Sequence, residues 1–64
     1  MPLLSNEYLK QFFLFLENAP AAELQSRREG LLRLLETTQD REFRQNIRWL
    51  LRKVDEEILT RFIK

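Results

Sequence analysis

Residues 37–64 read TTQDREFRQNIRWLLRKVDEEILTRFIK, and this stretch decides the fold. It holds no proline and no glycine, and Phe43, Ile47, Leu50, Leu51, Val54, Ile58 and Phe62 recur mostly at intervals of three and four residues. That spacing places them on one face of an α-helix. Thr37, followed three residues later by Asp40, matches the hydroxyl-and-acid pattern of a helix start. A helix is therefore predicted over about 39–63. At 1.5 Å per residue it extends about 36 Å, longer than any other helix the chain can form. Part of its apolar face is accordingly expected to need cover from outside the monomer.

Working back from this segment, a second helix is predicted over 20–37. Pro20 suits a first helical position, where its missing N–H would go unpaired anyway. Leu24, Leu31, Leu32, Leu34 and Leu35 form its apolar side. Gly30 interrupts it at a cost of about 1 kcal/mol relative to alanine; a close helix crossing or a local break is the expected reason, a hinge the alternative. Arg28 falls among the leucines. Its stem is expected to be buried with its head in water, the alternative being a pair that aligns two helices.

A third segment, 7–18, precedes these. Ser5 or Asn6 can cap it, Glu7 suits the positive end of its dipole, and Pro20 disfavours helical geometry at Ala19. Tyr8, Leu9, Phe12, Phe13, Phe15, Leu16 and Ala19 share one broad face, while Leu14 stands alone among Lys10, Gln11, Glu17 and Asn18. The short connections between the segments favour neighbours packed side by side. The expected architecture is all-α: one domain, 1–64, forming a three-helix unit (a helical hairpin with a short extra helix) completed as a bundle by oligomerisation.

Composition explains why completion is expected. A chain of 64 residues buries only about 60% of the surface its unfolded form exposes, so small domains usually add a staple. The chain has no Cys and no His, which rules out disulfides and thiolate metal sites. Association is the device that remains. Eleven basic and ten acidic residues leave a net charge of +1, unlike a polycation built to coat nucleic acid or a membrane. The apolar run Phe12–Leu16 is five residues long and has Glu7 before it, too short and wrongly flanked for a secretory signal. No stretch is long enough to span a bilayer. A cytoplasmic location and, from the initial Met and the absence of a linker, a complete chain are expected.

The catalytic inventory is poor. Ser5 and Ser26 have no activating context, and no glycine-rich phosphate loop occurs. Asp55, Glu56 and Glu57 fan out around a helix and are expected to be solvated. The chain is thus expected to be no enzyme, with no catalytic, cofactor-binding or metal residues and no small-molecule substrate.

Two surface features point to binding instead. Arg41, Arg44, Arg48 and Arg52, with Lys53 beside them, recur along one side of the last helix. Residues 27–53 carry eight bases against four acids. Such a row can clamp phosphates or meet an acidic partner. Its bland counterpart is a solvated face with local pairs Asp40–Arg44, Arg52–Glu56 and Lys53–Glu57.

Trp49 lies opposite the main apolar face, with Leu59 and Ile63 straying toward it. Together with Leu14 and Phe15 these are the expected protein-interface residues; cover of Trp49 by the first helix is the alternative. The expected function is a non-catalytic interaction module, regulatory, chaperone-like or scaffolding, acting through helix faces as a homodimer or in a hetero-complex. A small nucleic-acid-binding regulator using the arginine row is the alternative. No membrane partner is expected, because the aromatic helix lacks a flanking lysine or arginine array.

Overall fold

In a computed structural model, which describes residues 5–63, the chain forms three helices: α1 (Asn6–Asn18), α2 (Ala21–Thr37) and α3 (Arg41–Phe62). All the regular structure among the described residues is helical. None of these helices is long and apolar enough to cross a membrane.

The helix ends follow from local chemistry. Ser5 caps α1, its Oγ accepting from the Tyr8 N–H at 3.1 Å. Ala19 turns extended ahead of Pro20 and ends it. Pro20 sits one position earlier than predicted: it is the N-cap of α2, extended at φ −66° and ψ 160°. Its carbonyl accepts from the Glu23 and Leu24 amides at 3.0 and 3.1 Å.

The expected Thr37–Asp40 cap is also corrected. Thr37 closes α2, its hydroxyl donating to the Arg33 carbonyl at 3.1 Å. Asp40 itself caps α3, accepting from the Glu42 N–H at 3.0 Å. A hydroxyl in a last helical turn can return its proton to the carbonyl four residues back, and that bond competes with capping the next helix.

Gly30 is neither a crossing nor a break. The helix runs through it, its φ is not positive, and a Cβ built there would meet nothing within 4 Å.

Cross-helix partners give the topology. Arg28 meets Asp55, Gln25 lies beside Ile58, and Arg44 reaches Leu35 and Thr38. The residue numbers rise along α2 as they fall along α3, so the two form an antiparallel hairpin.

α1 packs against one side of this hairpin. It touches α3 through Phe13 and Trp49, whose rings meet edge-on at 6.1 Å, and α2 through Phe15 and Arg27. The core is Phe12, Leu16 and Ala19 from α1 and its C-cap, Leu24 and Leu31 from α2, and Ile47, Leu50, Leu51 and Val54 from α3. Leu24, Ile47 and Val54 are sealed from solvent, each worth about 1.5–3 kcal/mol of burial.

The apolar face of α3 is therefore covered from within the chain over most of its length, with Phe43 and Ile58 packed at its margins. Only Phe62, the last of the series, is left open, at 80% exposure.

Candidate interaction surface

The end of the hairpin where α2 begins and α3 finishes is the least covered apolar region of the described chain. Leu59 is 57%, Phe62 80% and Ile63 75% exposed. The cause lies in the residues opposite. The antiparallel register sets the last turn of α3 against Ala21 and Ala22, whose methyl groups are too small to cover a phenyl ring.

The result is an open apolar groove of about 280 Å³ bounded by Ala21, Ala22, Leu24, Ile58 and Phe62. A second depression, which shares Gln25 and Ile58 with the first, continues it to Leu59, Arg28 and Asp55.

The five predicted interface residues separate into three environments. Leu59 and Ile63 belong to this open end, together with Phe62, the last residue of the apolar stripe of α3, part of which is expected to need cover from outside the monomer. Phe15 and Trp49 are half-buried against their own chain. The Arg27 guanidinium lies 4.4 Å over the Phe15 ring. Trp49 holds Phe13 on its edge and the Lys53 ammonium 5.5 Å from its ring centroid. Leu14, 46% exposed on the outer face of α1, stands apart, since no α1 residue lines either depression.

The basic row also divides. Arg44 turns inward and donates to the carbonyls of Leu35 at 2.6 Å and Thr38 at 3.0 Å. Its expected pair with Asp40 is replaced, because the Asp40 carboxylate serves the start of α3. Arg52 does pair with Glu56, at 3.5 Å. Lys53 meets Glu56 at 3.5 Å where Glu57 was expected, and Glu57 instead holds Arg61 at 3.2 Å. Arg41 and Arg48 are exposed and have no hydrogen bond or ion pair among the described residues. With Gln39 and Gln45 they border a shallow polar depression.

The acidic run is less solvated than predicted. Asp55, Glu56 and Glu57 each hold a cation, most tightly at Arg28–Asp55, 2.7 Å. Arg28 thus follows the alternative reading, a pair between helices. Both side chains keep 40–46% exposure, which limits the pair to a fraction of a kcal/mol.

Arg61 went unremarked in the sequence, yet it ties the fold together. It donates to the carbonyls of Ala19 at 2.5 Å and Leu16 at 2.9 Å, the open end of α1. A signal for both this and the Arg44 contact was present. Neither α1 nor α2 has a basic residue in its last turn, and each carries a glutamate there, Glu17 and Glu36. Four carbonyls and a negative dipole end then lack a local cation, and α3 supplies one to each helix.

No three Asp or Glu side chains among the described residues come together as a metal-holding group. The chain matches no known protein-family model, and no curated protein or solved structure is significantly similar to it.

Proposed function

We propose that this chain is a non-catalytic protein–protein interaction module that binds through the open end of its hairpin, joining with another copy or with a different protein. The observation that carries the reading is the exposure of Leu59, Phe62 and Ile63 at one end of the hairpin, where Phe62 borders an apolar groove and Leu59 the depression that adjoins it. The largest apolar patch on a small monomer is often functional, and aromatic side chains seated in pockets are frequent interface anchors. A regulatory, chaperone-like or scaffolding role fits such a surface.

The test is sedimentation velocity over a hundredfold range of concentration, with affinity capture from native extract in parallel. Wild type is compared with a Leu59→Ser, Phe62→Ser double variant. Self-association or a captured protein that disappears in the variant supports the proposal. Assembly and capture unaltered by both substitutions would refute it.

A second reading, nucleic-acid binding, is favoured by one observation: Arg41 and Arg48 flank a polar depression without acidic partners. It predicts duplex binding that weakens steeply with salt as counterions are released. An anisotropy titration showing no binding at low salt would dismiss it.

A further inference from the structure

Five exposed positions of α3 and its C-cap follow one another at spacings of seven, four, seven and four residues: Arg41, Arg48, Arg52, Leu59 and Ile63. Eleven residues complete about three helical turns, so all five lie in one sector roughly 60° wide. Trp49 and Lys53, through which α3 meets α1, lie about 70° and 110° round the helix from the centre of this seam.

The seam has two halves. Its first 16 Å or so presents guanidinium groups. Its remainder is aliphatic, with Phe62 and the apolar groove beside it. Arg41 and Arg48 have no anionic partner among the described residues, and Arg52 has only the exposed Glu56 at 3.5 Å.

Resting on the interaction-module reading, we infer that this seam receives an acidic amphipathic helix of another protein. The helix lies along α3 with apolar anchors on Leu59, Phe62 and Ile63 and carboxylates on Arg41, Arg48 and Arg52. Charge complementarity selects this occupant. Carboxylates presented along a helix can each take a guanidinium in a two-toothed hydrogen-bonded pair, and apolar anchors at helical spacing are how a helix fills a groove.

A second copy fits poorly in either direction. Parallel seams stack arginine on arginine, and antiparallel seams set arginine against leucine and isoleucine, so the surface is not self-complementary as a twofold dimer requires. A nucleic acid would satisfy the arginines and leave the apolar half uncovered.

The experiment selects a displayed library of random 20-residue peptides on the immobilised full chain. Selected peptides are then measured by anisotropy against wild type, Phe62→Ser and Arg48→Glu. Both substitutions fall at exposed positions, and circular dichroism checks that helicity is kept.

The expected peptides carry apolar residues at helical spacing and an excess of Asp and Glu. They lose about tenfold or more in affinity with Phe62→Ser. With Arg48→Glu they lose about tenfold, and their binding becomes less sensitive to salt.

Peptides that need Phe62 but have no acidic excess and ignore Arg48→Glu overturn the inference while leaving the interaction module standing. So does self-association that Phe62→Ser abolishes, with no peptide selected; the occupant is then a second copy. Duplex DNA that binds in an Arg48-dependent, Phe62-independent way, with no peptide selected, overturns both readings. Peptides indifferent to both substitutions, or no peptide and no self-association, overturn the inference, and the interaction module falls with it when affinity capture also yields no protein that depends on Leu59 and Phe62.

Discussion

Replacing Arg61 by methionine should loosen α1 from the hairpin. The guanidinium makes two bonds to main-chain carbonyls of α1, 2.5 Å to Ala19 and 2.9 Å to Leu16. Hydrogen bonds to a charged group contribute about 1.5–3 kcal/mol each. With 28% of the Arg61 side chain exposed, the lower end of that range applies. The Glu57 pair adds a few tenths at most.

Methionine keeps most of the apolar stem, so packing loss is small. The net cost is about 2–3 kcal/mol. For a domain of this size, each kcal/mol moves the melting temperature by about 4–8 °C, so Arg61→Met should melt about 10–20 °C below wild type. Arg61→Lys should recover less than half of this, because an ammonium cannot reproduce the planar fork.

Thermal denaturation followed by circular dichroism measures the shift. Trp49 fluorescence reports α1 separately, through its contact with Phe13. Arg48→Met, at an exposed position with no partner among the described residues, serves as the control and should stay within about 0.5 kcal/mol of wild type. If Arg61→Met melts within about 3 °C of wild type, the account of α1's anchoring is wrong.

Arg44→Met should cost about 1–3 kcal/mol in urea denaturation by uncovering the Leu35 and Thr38 carbonyls; an unchanged midpoint would refute the remote cap. Gly30→Ala should stabilise the chain by about 0.5–1 kcal/mol, since the helix is regular there and a Cβ meets nothing within 4 Å. A lower melting temperature would mean that the glycine answers to a neighbour outside the monomer. Leu24→Ala, at a sealed position, should lose about 2–5 kcal/mol, whereas Leu14→Ala should change monomer stability by less than about 0.5 kcal/mol. Equal losses at the two sites would contradict the burial pattern.

The sequence by itself determined the three helices, because their signals are local. Phe43 to Ile58 repeats at helical spacing, Ser5 and Asp40 can close a cap within two or three residues, and Pro20 restricts the backbone beside it. Where two local options were close in energy, the reading erred by a position or a role: Pro20 as N-cap and not first helical residue, Thr37 closing α2 and not opening α3. The deficit of cations at the ends of α1 and α2 was also legible, although the residues that fill it were not.

What only the tertiary structure decided are the quantities that depend on register between helices. Register brought Arg28 to Asp55 and sent Arg44 and Arg61 across to other helices' carbonyls. It laid Phe13 on Trp49 and placed two alanines, not two leucines, opposite Phe62. Periodicity puts a side chain on a face, but it carries no information on how far the neighbouring helix has slid along that face. A displacement of one turn, about 5.4 Å, is the difference between a buried phenylalanine and one left 80% exposed.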